Sequence, residues 1–438
     1  MAKRTEGVEM LTDEDLLTEV LSRLPVKYLL QCKAVSKPWY SLISSPNFIK
    51  SHYQRHAITI NRAVDDNNEQ APTLIVRLFK GEDLDDHPEE DGSYSLYRLG
   101  ATDNYIAKLN FPFSRGDYPF TPPSILVGCV CGIVCVCVDP SASIDANYFF
   151  PTADKATDIY IWNPTARQSK LIPSHALYNC DDKVALGFGF DPVDFDFKVV
   201  RVVSRTVFPE VYSAERDTWR NEVYSAERDT WRNIETKLID IPYNCRFDIC
   251  LHGFLFATGY SGMVAFNLNK EVFICDIKLP INCKGPRKCY DARIVDFKDS
   301  IAVMFSNDEE LRSGKINLWI LDDEACLRGG GVEASWTFML NIDVGKQLGY
   351  LKGLFNNVEF LLIYGEWISY NYDRKVVRYI RTYPLFDYDD VFKYTESQQM
   401  LLVTGSKMVN WSDDKDVESS VDLEEMIQKV IMRKTMLI

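Results

Sequence analysis

Four cysteines fall within nine residues, Cys129, Cys131, Cys135 and Cys137, and thiolates so crowded could hold a tetrahedral zinc ion. Zinc takes its sulfurs at ~2.3 Å, so all four must converge on one point. In an extended strand, residues two apart share a face but stand roughly 6.5–7 Å from each other. Cys129, Cys131, Ile133, Cys135 and Cys137 then make one face, and Val130, Gly132, Val134 and Val136 the other. Both faces are apolar, the pattern of a strand buried on two sides. The expectation is a core strand that turns at Gly132, with no metal. The histidines, His52, His56, His87, His175 and His252, match no metalloprotease spacing and flank no nucleophile elbow. Gly187-x-Gly189 and Gly329-Gly330-Gly331 lack the Lys-Ser/Thr of a phosphate cradle and read as turns between strands. Glu82–Asp91 holds seven acids in ten residues without the alternating ligands of a calcium loop. It reads as a solvated loop, or as a patch that attracts a basic partner. No catalytic residue and no cofactor are expected.

These groups sit in two stretches of different periodicity, parting near residue 57. In the first, Thr12 can cap a helix whose first turn carries Asp13, Glu14 and Asp15. Leu16, Leu17, Val20, Leu21 and Leu24 follow at helical spacing. Pro25 ends that helix and opens a second, from about Val26 to Val35. Ser36 and Pro38 mark another stop and start, ahead of Trp39, Leu42 and Ile43. Pro46 begins a fourth helical turn with Phe48 and Ile49. The tail from Ser420 spaces Val421, Met426, Ile427, Val430 and Ile431 as a helix would.

The whole chain of 438 residues carries 49 basic and 63 acidic side chains, a net charge of −14. That balance argues against a general nucleic-acid binder, which needs a basic face. Residues 1–10 are charged, read as a flexible N-terminus, and show no secretory leader. The longest uncharged apolar run, Ile125–Val138, has 14 residues, short of the roughly 20 of a membrane span, so no membrane association is expected. Twelve cysteines without a leader read as reduced thiols in a cytoplasmic or nuclear compartment.

About 45 residues is near the lower limit for an independent core. Val20, Leu24, Val26, Leu29, Leu30, Val35, Trp39, Leu42 and Ile43 are too many large apolar groups for so small an interior, so some should stay at the surface for a partner. From Val26 to His56 the chain carries Lys27, Lys33, Lys37, Lys50 and Arg55 and no acid. A basic stretch in an acidic chain suggests docking onto something acidic.

Leu24-Pro25-Val26-Lys27, Leu29-Leu30, Cys32 to Lys37, Trp39, Leu42-Ile43, Ser45-Pro46 and Phe48-Ile49 resemble a plant F-box. The family's opening Leu-Pro is absent here, and Leu11-Thr12 or Thr12-Asp13 stands in its place. The resemblance implies binding to a Skp-type adaptor, and through it to the cullin of an SCF ubiquitin ligase. The adaptor contacts it implies are Leu24, Pro25, Val26, Leu29, Val35 and Trp39.

Beyond residue 57 short apolar runs alternate with turn residues, as strands do. They are Leu74–Phe79, Tyr94–Leu99, Ile125–Val138, Asp158–Trp162, Val184–Phe190 and Phe197–Val203. Later come Met263–Leu268, Lys315–Leu321, Trp336–Leu340, Phe360–Tyr364 and Val376–Tyr383. A weak repeat of strand, polar turn and strand recurs at Asn163, Arg228, Asn267, Asp322 and Tyr372. The gaps are 65, 39, 55 and 50 residues, against roughly 40–50 for propeller blades. The first gap is inflated because Glu222–Asn233 repeats Glu210–Asn221 without a change. Only one copy can enter a strand without shifting its register.

Asn163-Pro164-x-Ala166-Arg167, Leu186 to Asp191, Lys198 to Arg201 and Val223-Tyr224-Ser225 with Trp231-Arg232 resemble the kelch-like, F-box-associated region of plant F-box proteins, S-locus F-box proteins of self-incompatibility among them. The fold expected is α+β in two domains, a small helical F-box followed by a large all-β, β-propeller-like domain. The expected bounds are 11–56 for the F-box, 57–72 for a linker, 73–410 for the substrate-recognition domain and 411–438 for an acidic segment and C-terminal helix. The function implied is a non-catalytic substrate receptor that directs a protein to ubiquitination and proteasomal degradation. A basic substrate suits the charge, and the S-locus likeness implies non-self S-RNases. The alternatives are a receptor for another plant protein and an interaction protein outside any ligase.

Overall fold

The computed structural model describes residues 13–24, 26–33, 35–45, 47–48, 51–52, 73–77, 94–98, 105–109, 124–138, 158–166, 168–172, 184–194, 196–203, 210–213, 218–220, 222–225, 230–233, 246–259, 262–280, 292–306, 314–328, 332–343, 350–354, 359–363, 367–371, 374–380, 390–394 and 407–408. Thr12, Pro25, Pro46 and the expected C-terminal helix lie outside them. The chain divides into two compact units, one helical and N-terminal, the other stranded.

The helical unit contains α1 (Asp13–Leu21), α2 (Val26–Cys32) and α3 (Lys37–Ile43). Leu21, Leu24, Leu29, Cys32, Ile43 and Phe48 form its core, with Leu17, Tyr28, Trp39 and Leu42 against it. The second helix stops three residues earlier than its apolar pattern suggests. Val35 N–H bonds to Cys32 O at 3.1 Å, and Ser36 is extended at φ −159°, ψ 160°. Its Oγ accepts the Trp39 N–H at 3.3 Å, with Pro38 in the first turn. A capping residue must leave helical geometry, so the cap of α3 terminates α2. Ser45 Oγ accepts the Phe48 N–H in the same manner.

The second unit is built of antiparallel sheets whose strands follow one another along the chain. The first sheet joins Thr73–Arg77, Tyr94–Arg98 and Tyr105–Leu109, with Asp390–Tyr394 added beside Thr73–Arg77. The second has Ser124–Val130, Ile133–Val138, Asp158–Asn163 and Gln168–Ile172, with Lys407–Met408 at its outer edge. The third has Val184–Asp191, Asp196–Val203, Glu210–Ser213 and Thr218–Arg220. The fourth has Ile249–Leu251, Phe254–Thr258, Met263–Asn267 and Val272–Ile277. The fifth has Arg293–Phe297, Ser300–Phe305, Lys315–Leu321 and Trp336–Asp343, and the sixth Tyr350–Leu354, Glu359–Ile363, Trp367–Asn371 and Val376–Ile380. Asp390–Tyr394 touches Ser124–Val130, which touches Val184–Asp191; the fourth, fifth and sixth sheets continue the series, each meeting the next.

Hairpin chemistry explains the local pairing. Cys131-Gly132, His252-Gly253 and Lys298-Asp299 each link first and second strands with both residues at φ between 50° and 77°, the geometry of a two-residue turn that matches strand twist. The weak sequence repeat marks the third strand, and the turn after it, in the second, fourth, fifth and sixth sheets, whereas its copy Val223-Tyr224-Ser225 belongs to a separate two-stranded hairpin of Glu222–Ser225 and Thr230–Asn233. Asn163 Oδ1 accepts the Ala166 N–H, Asn267 Oδ1 that of Lys270, and Asn371 Oδ1 that of Arg374, at 2.8–3.0 Å. Three sheets therefore close the same turn with the same side chain.

The expected turn at Gly132 is present, since Cys131 and Gly132 both take left-handed backbone and split Ile125–Val138 into two paired strands. Another expectation changes. Gly187 and Gly189 are not in a turn; they lie inside the strand Val184–Asp191. A Cβ on Gly187 would stand 2.6 Å from Phe247 Cδ2 and 2.8 Å from Leu255 Cδ1, and one on Gly189 2.7 Å from Leu268 Cδ1. These glycines let the fourth sheet approach the third. Gly187→Val is expected to cost ~1–3 kcal/mol through overpacking, read as a lower urea midpoint. An unchanged midpoint would mean that Phe247 and Leu255 give way freely.

Candidate functional site

Local capping and core packing together decide which face of the helical unit is left open. Leu24 and Leu29 are 0% exposed, so in the isolated unit they offer no surface and belong to its fold. Pro25 lies outside the described residues, and Val26 opens α2. Val35 is 57% exposed and Tyr40 52%, while Trp39 is half-buried against the core. Lys33 Nζ lies 5.9 Å from the Tyr40 ring centroid, and burial pulls its pKa down to about 8. Lys37 is exposed at the start of α3. The junction of α2 and α3 thus presents Val35, Trp39 and Tyr40 beside two lysines. It can seat an apolar contact and attract acidic groups, and it holds no nucleophile-base pair. Tyr40 is the member that apolar periodicity alone passes over, since its i+3 spacing to Ile43 reads as core.

The other candidates are structural. The two-residue turn at Cys131-Gly132 sets Cys129 opposite Val134 and Gly128 opposite Cys135. Directly opposed residues share a face, so Cys129 lies on one face with Val134, and Cys135 and Cys137 lie on the other. Burial, then the neighbouring Cys137, pushes the Cys135 thiol well up, away from the thiolate that zinc needs. Among the described residues no cluster of three or more His, Cys, Asp or Glu could hold a metal. His52 is buried, its Nε2 3.1 Å from Leu24 O. His56, His87, His175, Gly329-Gly330-Gly331 and the acidic stretches 82–91 and 413–418 lie outside the described residues.

His252 bridges two sheets. Its Nδ1 is 2.8 Å from Glu324 Oε1 and its Nε2 3.1 Å from Asp299 Oδ1. Burial lowers its pKa, but the hydrogen bonds to Glu324 and Asp299 outweigh that and leave it raised. The bound proton therefore stabilises the fold fully below the ordinary histidine value, and that contribution disappears as pH rises through the raised one. The melting difference between the parent and His252→Gln should shrink as pH rises from the ordinary histidine value through the raised one; a constant difference would assign the effect to packing.

Sequence reading missed a buried ionic cluster. Lys198 Nζ, with a side chain 1% exposed, lies 2.8 Å from Asp191 Oδ2 and 3.3 Å from Glu271 Oε1, and donates to Leu268 O at 2.7 Å. Asn269 Nδ2 donates to Asp191 Oδ2. The available signal was Lys198 set between the apolar Phe197 and Val199, and Asp191 at the end of the apolar run Val184–Phe190.

Comparison with known proteins follows this division. Residues 13–51 match the F-box domain, and residues 110–327 match the F-box associated beta propeller domain. An F-box/kelch-repeat protein of Arabidopsis thaliana is 27% identical over 213 residues, covering 47% of this chain and 50% of its own. Another Arabidopsis F-box protein is 25% identical over 319 residues, covering 70% and 71%. The chain spans about half the length of the first curated relatives it matches. The S-locus likeness draws no support from these relatives. The WD40 domain of SCAP from fission yeast aligns over 70% of this chain and 81% of its own at 12% identity, with a TM-score of 0.29, too low to carry a fold argument.

Proposed function

We propose that this chain, an F-box followed by an F-box-associated domain with F-box proteins of Arabidopsis among its homologues, is the substrate receptor of an SCF-type ubiquitin ligase. The open apolar and basic surface at the junction of α2 and α3, inside the segment that matches the F-box, carries this reading. Val35 and Trp39, joined by Tyr40, Lys33 and Lys37, bind the Skp-type adaptor, and Leu24 and Leu29 hold the helices that present them. The adaptor links the chain to a cullin. Ubiquitin transfer then depends on proximity, because the bound substrate is held at high effective concentration, and the chain needs no catalytic residue of its own.

The F-box takes residues 11–56, a linker 57–72 and the recognition domain 73–410, ahead of an acidic segment at 411–438. Among the described residues, six sheets of four or five strands in chain order, each meeting the next, and a late strand that completes the first sheet support a β-propeller. The ligase assignment places the chain in the cytoplasm or nucleus, and no helix among the described residues is long and apolar enough to cross a membrane. The acidic balance outside the F-box suits a basic protein substrate, whose association rate falls as salt rises. An S-RNase is one such protein, implied by the motif likeness alone.

Co-expression of the full chain with a Skp-type adaptor and a cullin tests the reading. A stable complex with both is expected. Failure to bind the adaptor overturns the assignment, and adaptor binding without a cullin favours an interaction protein outside the ligase.

A further inference from the structure

Glu222–Asn233 repeats Glu210–Asn221 residue for residue, yet the structure uses the copies differently. The first supplies the outer hairpin of the third sheet, with Glu210 opposite Arg201, Val211 opposite Val200, Tyr212 opposite Val199 and Ser213 opposite Lys198. Within it, Tyr212 faces Trp219. The second makes a separate two-stranded hairpin in the same internal register, with Tyr224 facing Trp231. We infer that the two copies are interchangeable, so that the chain has two native pairings: one with Glu210 opposite Arg201, the other with Glu222 in that place and the first copy left as the spare hairpin.

Identical sequences in one register make the same ladder bonds and the same side-chain contacts with Asp196–Val203. What differs is the length of chain on either side. In the observed pairing, residues 204–209 precede the hairpin and 221–248 follow it. In the exchanged pairing, 204–221 precede it and 233–248 follow. Loop closure weakens only as about the three-halves power of length, so the longer first connection is largely offset by the shorter second, and the two populations differ by about twofold. The geometry also permits the exchange. Third and fourth strands are antiparallel, so the third begins and the fourth ends at the same end of the sheet. The spare hairpin leaves from that end in both pairings and moves only from behind the fourth strand to before the third. One end of the third sheet therefore carries a 12-residue insert in either of two places. This conclusion does not depend on the ligase assignment.

Disulfide trapping in the full chain tests it. Arg201→Cys is combined with Glu210→Cys or with Glu222→Cys, and the oxidised chain is mapped by mass spectrometry. Both pairs are expected to cross-link within one chain, with yields within about twofold of each other. Adding Tyr212→Pro, which cannot donate to the ladder, should suppress the 201–210 link and raise the 201–222 link. As a second measure, Tyr212→Pro and Tyr224→Pro should each melt near the parent, while the double variant melts lower. A 201–222 link that fails to form even with Tyr212→Pro overturns the inference. So does a Tyr212→Pro chain that is as unstable as the double variant, or that does not fold.

Discussion

Lys198→Met is expected to destabilise the second unit by about 3–5 kcal/mol. The methionine keeps much of the lysine's volume, so the loss is electrostatic. Lys198, Asp191 and Glu271 have side chains 2% exposed or less. Without the ammonium, the buried carboxylates of Asp191 and Glu271 lose the cation they share, and breaking such a cluster on one side costs far more than the intact cluster contributes. The pH dependence identifies the cause. Burial alone would raise the Asp191 pKa, but the Lys198 hydrogen bond and the Val193 N–H more than offset this and hold it below the usual carboxylate value. In the parent, that stability is present above the unfolded carboxylate value and is lost as pH falls through the depressed one. In the variant burial dominates, so the carboxyl takes up a proton readily and acid relieves the strain. Urea unfolding should show the gap between parent and variant narrowing on acidification. A gap under about 1 kcal/mol at neutral pH would contradict the buried-charge account, and a gap independent of pH would assign the loss to packing.

Val35→Asp and Trp39→Ala are expected to weaken adaptor binding at least about 30-fold, the loss typical of an interface anchor. Val35→Asp is the cleaner of the two, because Val35 is exposed and its replacement leaves the helical core whole. Helical circular dichroism should be unchanged while adaptor affinity falls. Leu29→Asp would also abolish binding, but by placing a carboxylate in the core, so its spectrum should collapse. Lys33→Glu should lower affinity through charge alone and respond to salt. If Val35→Asp and Trp39→Ala both retain the adaptor at parental affinity, the α2–α3 junction is not the docking surface.

Some of this molecule is written in short stretches of chain. The Ser36-Pro38 restart, the two-residue turns at His252-Gly253 and Lys298-Asp299, and the Asn-closed turns at Asn163, Asn267 and Asn371 depend on residues three or four apart, so their energetics are contained in the local sequence. Strand alternation likewise reads directly in Lys315–Trp319, where Ile316 and Leu318 are buried and their neighbours are more exposed. Burial against another element does not read this way. Nothing near Gly187 says that Phe247 and Leu255 will press on it, and nothing near Lys198 names Glu271 as its partner, because those neighbours come from the next sheet. The four cysteines look like one face until the turn at Cys131-Gly132 puts Cys129 on one face of the hairpin and Cys135 and Cys137 on the other. Leu24, Leu29, Val35 and Trp39 are equally apolar in the sequence, and only the packing of three helices decides that the first two are enclosed and Val35 is left for a partner. The duplicated hairpin is the limiting case. Its two copies are identical in every local property, so only the edge of Asp196–Val203, which admits one hairpin at a time, can make them different.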